Sequence, residues 1–416
     1  METRKVSELV WRDDLYPRIT HDPEVIQRYA ASIDKLPAIE VNQNNEIIDG
    51  YHRWTAHRKE NREDIAVTVT QTKSDAEFLV LSIERNAKHG LQLSNEDKKR
   101  MARKVYLENK DKNALADMLS VSSKTITRWV DDIDEADKEE RERIIKDMWL
   151  ACYTQEEIAD VVGMTHKSIS NKLEDMVNLD KCPKGTKLSA EYQETDWTPP
   201  LYDMWTFAKN ANHKHFGNTH VGIVDNLLYT FTKPFDIIVD PFAGGGSTID
   251  ICKKRLRRYW VSDRLPIVER EQEIRKHDLT DGVSGPYHWE DVSLVYLDPP
   301  YWKQAEGKYS NDPEDLANMT LDKFYETLTG IVMGYASKMK PGSHIALIIS
   351  PTQWPNDNKE TIYHDIDLAN KIPLKLERRA VCPYSTEQYN GTQVNIAKEQ
   401  KLWMVLSRTL LVWEVK

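Results

Sequence analysis

The sequence predicts an α/β protein. Its C-terminal half carries a mostly parallel, twisted sheet, preceded by a small α+β segment and an all-α region with helix-turn-helix units. Three observations predict this. From about residue 195 onward, short apolar runs alternate with helical stretches, the pattern of a parallel sheet covered on both faces. Between about 94 and 180 the pattern is helical, with almost no Gly or Pro. Before residue 93, short alternating segments mix with helices. The length of 416 residues suits two or three domains at roughly 150 residues each. The boundaries read from composition are 1–93, 94–180, a linker at 181–200 and 201–416. The linker carries Lys181-Cys-Pro-Lys-Gly-Thr-Lys and Thr198-Pro-Pro.

Composition excludes several classes. Hydrophobic residues make up 40% and charged residues 30%, so the chain can bury cores and is not disordered in bulk. Cys152, Cys182, Cys252 and Cys382 lie far apart without a CxxC pair, so neither a zinc ribbon nor a disulfide framework is expected. The N-terminus lacks the apolar core of a signal peptide, and no apolar run approaches the ~20 residues that span a bilayer. A cytoplasmic protein is the expectation. The net charge of −10 argues at first against a nucleic-acid partner. The excess is local, however. Residues 1–180 carry 28 basic and 36 acidic side chains, and Asp131 to Glu142 alone contribute −6. The stretch Lys112 to Val130 is net positive. On this reading the acidic residues form a connector between two DNA-reading units.

In the first segment, Ala38-Ile-Glu-Val-Asn and Glu46-Ile-Ile-Asp alternate as strands around the turn Asn42 to Asn45. Gly50-Tyr-His-Arg53 then opens a helix, where backbone N–H groups, the helix dipole and a guanidinium form a candidate anion site. A surface arginine on a capped helix is the plainer alternative. Next, Ala116, Leu119, Val121 and Ile126 have helix-turn-helix spacing, with Ser122 capping the second helix. That helix offers Ser123, Lys124, Thr127 and Arg128 to a major groove. A second unit, Thr154 to Leu173, turns at Gly163 and offers Lys167, Ser168 and Asn171. Both units can equally serve as packing modules. Lys98, Lys99, Arg100, Arg103 and Lys104 either touch phosphates or form a solvated face.

The C-terminal half holds the chemistry. Phe235-Asp-Ile-Ile-Val-Asp240 is a buried strand running into Pro-Phe242-Ala243-Gly244-Gly-Gly246-Ser247-Thr248 and a helix. Such a glycine loop admits a ligand to the backbone and frees a helix N-terminus. Tyr259-Trp-Val-Ser-Asp263 is a second strand ending in an acid, suited to ribose hydroxyls. Asp278 follows. Leu294-Val-Tyr-Leu-Asp298-Pro299-Pro300-Tyr301 is a third strand. Asp298 and the Pro299 carbonyl can accept hydrogen bonds from an exocyclic amine, which localises the nitrogen lone pair for attack on a methyl donor. The prolines stiffen that turn, and Tyr301 can stack on a base extruded from the duplex. His213, His215 and His220 lack an acid or cysteine to complete a metal site, and none is expected.

These motifs resemble the S-adenosylmethionine-dependent DNA amino-methyltransferases that act on adenine N6 or cytosine N4. The family's cofactor motif matches Asp240, Phe242, Ala243, Gly244 and Gly246, its ribose acid Asp263, its adenine-contacting acid Asp278, and its catalytic motif Asp298 to Tyr301. The resemblance implies a Rossmann-like domain, with S-adenosyl-L-methionine as methyl donor and duplex DNA as acceptor. Phe216 to Leu228 resembles the helix that closes over the methionine end. Arg378 to Thr386 and Leu410 to Glu414 resemble the closing strands. Aspartate at the first catalytic position favours adenine N6 over cytosine N4. Only 34 residues separate Asp263 from Asp298, and 115 follow Tyr301, so no recognition domain is inserted.

Residues 1–105 resemble the ParB/sulfiredoxin-like domain through Tyr16-Pro-Arg18, Ser32-Ile33, Pro37 to Val41, Gly50-x-x-Arg53, Glu84-Arg-Asn86-Ala-Lys-His89 and Leu93-Ser94. That resemblance implies CTP at Gly50 and Arg53. Tyr51 and His52 stand where the family has Glu-Arg, and Lys88-His89 where it has an arginine, so hydrolysis is not expected. A homodimer and a cognate restriction endonuclease are partners that such an enzyme admits. The competing classes are a ParB-like DNA-binding regulator with a non-catalytic methylase domain, and an RNA methyltransferase.

Overall fold

The computed structural model describes residues 2–18, 22–88, 93–177, 200, 202–207, 219–353, 360–383 and 389–416. The chain divides into two compact units, Met1–Glu140 and Arg141–Lys416. The division differs from both boundaries read from composition, because it falls inside one long helix. Residues 181–199 of the expected linker lie outside the described residues.

The first unit opens with β1 (Glu2–Lys5), α1 (Pro23–Ala30), β2 (Ile39–Val41), β3 (Ile47–Asp49), α2 (Tyr51–Lys59) and β4 (Asp64–Val69). The strands form a sheet of order β1-β4-β2-β3, with β2 and β4 parallel and the other pairs antiparallel. Ile39, Val41, Ile47, Trp54, Ile65 and Val67 make its core. Then follow α3 (Asp75–Lys88), α4 (Asn95–Glu108), α5 (Lys112–Leu119) and α6 (Ser123–Leu150). The helices α3 to α6 share a core of Ile83, Met101, Leu119 and Ile126.

The acidic run is a correction to the sequence reading. Asp131 to Glu142 is not a connector: it continues α6, the second helix of the first helix-turn-helix unit. Its acids pair with cations of α4 and α5. Asp132 meets Arg103 at 2.5 Å, Asp134 meets Lys112 at 2.5 Å and Asp137 meets Lys110 at 2.5 Å. Three cations of the basic cluster of α4 are likewise bonded within the protein, while Lys99 is exposed. Arg100 donates to the Tyr16 carbonyl at 2.7 Å, Arg103 also to the Trp129 carbonyl, and Lys104 to the Asp14 carbonyl.

The second unit begins in the last turns of α6 and continues with α7 (Gln155–Val162) and α8 (His166–Val177). Gly163 sits in the left-handed region at φ 65°, as the turn requires. Next come α9 (Val221–Phe231), β5 (Ile237–Asp240), α10 (Ser247–Lys254), β6 (Arg258–Asp263), β7 (Arg275–Lys276), β8 (Val292–Leu297), α11 (Leu321–Ala336) and β9 (His344–Ile349). The chain ends with β10 (Thr352–Gln353), β11 (Thr361–Ile362), α12 (His364–Lys371), β12 (Lys375–Val381), α13 (Gly391–Glu399) and β13 (Thr409–Glu414).

Seven strands form one sheet in the order β12-β13-β9-β8-β5-β6-β7. The five strands from β9 to β7 are parallel, and β13 runs antiparallel to both neighbours. Ile223, Leu227 and Ile249 of α9 and α10 pack on Ile238, Leu294 and Ile348 of one face. Phe324, Leu328 and Val332 of α11 pack on Val239, Val295 and Leu347 of the other. This double cover explains the continuous apolar runs of β5, β8 and β9. Strand order reverses between β5 and β8, the switch point at which open α/β sheets hold ligands beyond the strands' carboxyl ends.

The second helix-turn-helix unit is fixed to this sheet through the end of α6. The Trp149 ring lies 5.2 Å from Phe235 and under the Arg258 guanidinium at 4.8 Å. Arg275 donates to the Ala151 carbonyl at 2.6 Å, and its guanidinium lies over Trp260.

Candidate active site

The glycine loop is held from three sides. Asp240, at the end of β5, accepts from the Phe242 amide at 2.9 Å and the Thr248 hydroxyl at 2.6 Å, which closes the turn on itself. The Gly244 amide donates to Asp263 at 3.0 Å, so the loop is tied to the acid that ends β6. Arg270 bonds the Gly246 carbonyl at 2.9 Å as well as Asp250 and Glu273. Gly244 and Gly246 have φ of 49° and 77°, in the left-handed region. A Cβ on Gly246 would meet Arg270 Nη1 at 2.8 Å. Gly246 corrects the sequence reading in one respect. It caps α10 and braces Arg270, while its neighbour Gly245 lines the cavity.

The three strand ends open onto one cavity of about 1480 Å³. Its walls bring together Asp240, Phe242, Ala243, Gly244, Ser247, Thr248, Asp263, Asp278, Asp298, Pro299, Pro300 and Tyr301, the residues that sequence spacing singled out. Asp278 accepts from the Thr280 amide at 3.0 Å and pairs with Arg264 at 2.9 Å. The volume exceeds the roughly 300–1,000 Å³ of a single small-ligand pocket. Its walls also carry Gln304, Tyr309, Ser350, Gln353, Tyr389 and Arg408, beyond the glycine loop and Asp263.

Asp298 lies in the wall of this cavity. Its carboxylate accepts from the Thr219 hydroxyl, from Tyr301 at 3.0 Å and from Tyr296 at 3.5 Å. Burial pushes its carboxyl above the usual carboxylate range, against these hydrogen bonds and the nearby Arg408 charge. Burial likewise pushes Asp240 up to about 7. Sequence reasoning took Thr219 only as part of the stretch Phe216 to Leu228, and it missed Arg408. Arg408 donates to the Thr219 hydroxyl at 3.0 Å, so a buried cation is relayed through one hydroxyl to Asp298. Thr219 lies 79 positions before Asp298 and Arg408 lies 110 after it, and no motif pairs either with that carboxylate. His220 caps α9 by accepting from the Gly222 amide, and its ring stacks on Phe207 at 4.4 Å. His213, His215 and Phe216 lie outside the described residues. Among the described residues no cluster of His, Cys, Asp or Glu is placed to hold a metal.

The reading helices are only partly as expected. Lys124 and Arg128 on α6 are exposed, as are Lys167 and Asn171 on α8. Ser123 instead donates to Asn113 at 2.8 Å, and Thr127 to the Ser123 carbonyl at 3.0 Å. Ser168 is bound to the Thr165 cap through both its amide and its hydroxyl. The anion site at Gly50 is also corrected. Gly50 adopts φ 113° at the start of α2, where a Cβ would lie 2.5 Å from Ile39. Arg53, however, spends its guanidinium on the Pro37 and Ala38 carbonyls and on Asp49 at 2.6 Å. Sequence spacing placed the arginine correctly but could not show these internal acceptors.

A doubly wound sheet with a glycine loop and an acid-proline-proline turn at its switch point is the Rossmann-like architecture of a methyltransferase. The model of the DNA methylase family matches residues 41–265, more than half of the chain, and the chain belongs to that family. The matched range takes in the glycine loop and Asp263 and ends ahead of Asp298. No curated protein matches the chain. Among solved structures, it is similar to the chromosome-partitioning protein ParB from Caulobacter crescentus complexed to the centromeric parS site. Identity there is 17%, over 41% of this chain and 82% of that one, with a TM-score of 0.25. It is also similar to TrmN from Thermus thermophilus (13% identity, 47% and 48% coverage, TM-score 0.28). A SAM dependent methyltransferase from Archaeoglobus fulgidus gives 10% identity, 47% and 94% coverage and a TM-score of 0.29. Among the described residues, no helix is long and apolar enough to cross a membrane.

Proposed function

We propose that this protein methylates the exocyclic amine of a base flipped out of duplex DNA, adenine N6 in the first place, with S-adenosyl-L-methionine as donor. The observation that carries the reading is one cavity whose wall brings Asp298 and Tyr301 together with the glycine loop and the ribose-type acid Asp263. The residues fit the donor. Asp240 and Asp298 are both raised by burial, and a ligand bearing a sulfonium and an ammonium supplies the positive charge that burial withholds from them.

Gly244, Gly245, Ser247, Thr248 and Asp263 would hold the donor, with Asp278 on the adenine side. When bound, it supplies an electrophilic methyl group on sulfur. The chain's own task is to prepare the amine. Asp298 and the Pro299 carbonyl accept its two N–H groups, so the lone pair leaves conjugation with the ring and points across the cavity. The proton leaves after transfer, and the fixed dipoles around Asp298 need little rearrangement. Tyr301, now bonded to Asp298, is placed to pack on the incoming base. The exposed cations of α6 and α8 would meet phosphates and base edges, and CTP at Gly50 would require Arg53 to leave its carbonyl partners.

Asp298→Asn is the test. Donor binding, measured by calorimetry, should persist. Incorporation of labelled methyl into duplex DNA should fall by at least ~10²-fold, the scale of a lost transition-state acceptor. Unchanged incorporation would end the reading. Mass spectrometry of the nucleosides decides between N6-methyladenine and N4-methylcytosine.

A further inference from the structure

Gln353 occupies a position that the reading above leaves unused. It is the second residue of β10, four residues beyond the end of β9, and it lines the same cavity as Asp298, Tyr301, Tyr389 and Arg408. Two hydrogen bonds sew this wall to the catalytic turn. Thr352 donates to the Trp302 carbonyl at 2.8 Å, and Gln304 donates to the Pro351 carbonyl at 2.8 Å. β8 and β9 are parallel neighbours with Leu297 opposite Leu347, so the segments leaving them, Asp298 and Ser350 to Gln353, leave the same end of the sheet.

The amide's orientation is set by its partners. The Val405 backbone N–H lies 2.6 Å from Gln353 Oε1, and a backbone N–H can only donate, so the oxygen faces Val405. The Tyr389 hydroxyl stands 3.5 Å from the same oxygen. The Nε2 group is thereby directed away from Val405. Among the described residues it has no acceptor, and its two N–H groups are available to a ligand in the cavity.

We propose that Gln353 reads the ring nitrogen beside the reacting amine of the flipped base. The inference rests on the methyl-transfer reading and deepens it. Adenine N1 and cytosine N3 are acceptors next to an amino group, so a fixed N–H donor pairs with either. Guanine N1 and thymine N3 carry hydrogens and would face that donor with another donor. A buried donor–donor clash costs more than the matched bond contributes, so the site rejects lactam bases more sharply than it binds amino ones. Gln353 thus selects the class of base, and the cavity's shape is left to choose between its two members.

The experiment is a chemical cycle on duplex oligonucleotides carrying the sequence that the protein methylates in host DNA. The target adenine is compared with 1-deazaadenine, which keeps the amine but lacks the N1 acceptor. 3-Deazacytosine serves if the target is cytosine. For the wild-type chain, kcat/KM should drop by about tenfold more on the deaza base than it does for Gln353→Leu, since only the wild type has a bond to lose. Gln353→Glu, which presents an acceptor to an acceptor, should be worse than Gln353→Leu on adenine. Equal deaza penalties in wild type and Gln353→Leu would overturn the proposal while leaving the methyltransferase reading intact. If Gln353→Leu fails to bind the methyl donor, the wild-type chain decides alone: a deaza penalty below threefold overturns the proposal. A wild-type chain that transfers methyl to no duplex overturns both readings together.

Discussion

The Arg408–Thr219–Asp298 relay makes one residue-scale expectation definite. Thr219→Val keeps shape but removes the hydroxyl through which the buried guanidinium reaches the catalytic carboxylate. A hydrogen bond to a charged group is worth roughly 1.5–3 kcal/mol, so kcat should fall about tenfold or more. Donor affinity should change little, and single-turnover kinetics separate the two. Asp240 gives a pH prediction. Its folded pKa of about 7 lies above the ordinary 3.8. It therefore contributes stability that is fully present below pH 3.8 and lost as pH rises through about 7. The same ionisation favours a cationic ligand, so donor affinity should tighten by about tenfold between roughly pH 6 and 8 as the carboxylate charges. Asp240→Asn should flatten that calorimetric profile; an unchanged profile would assign it elsewhere.

At the scale of elements, the end of α6 joins the second helix-turn-helix unit to the methyltransferase sheet. Trp149 carries much of that joint through Phe235 and Arg258. Trp149→Ala should cost ~2 kcal/mol locally, from a lost cation–π contact and partial burial of a large ring. Hydrogen exchange should then quicken in α7 and α8, while β5 and β8 stay protected. If the amides of α7 and α8 exchange as before, the joint lies elsewhere. The acidic run shows how an element can overturn a compositional reading. Eight acids within twelve residues look like a solvated connector, yet at helical spacing three of them reach cations on α4 and α5. Periodicity was present in Asp131 to Glu142, but charge density obscured it because the apolar face of α6 thins out there.

For the molecule as a whole, two compact units predict two thermal events. A saturating methyl donor should raise only the transition of residues 141–416, by about 2.7 kcal/mol at a hundredfold excess over Kd. Differential scanning calorimetry of the full chain checks this, and one cooperative transition shifting as a unit would contradict it. Salt dependence belongs to the same scale. With Arg100, Arg103 and Lys104 of α4 bonded within the protein, non-specific DNA affinity should decline gently with salt; a slope implying ten or more phosphate contacts would be inconsistent.

The sequence by itself determined the doubly wound half of the protein and the strand-end residues of its cavity. Buried strands are continuous apolar runs, and the residues that end them are fixed by local chemistry: glycines for left-handed turns, acids and prolines at strand ends. Such constraints act within a few residues and so leave local marks. The tertiary structure decided what depends on distant partners. It turned Arg53 onto backbone carbonyls, placed Gly246 behind the cavity, and paired the acids of α6. It also brought Thr219, Gln353 and Arg408 to the cavity that Asp298 lines. A hydrogen bond between residues 79 or more positions apart leaves no periodicity or spacing behind, because the fold alone supplies its geometry.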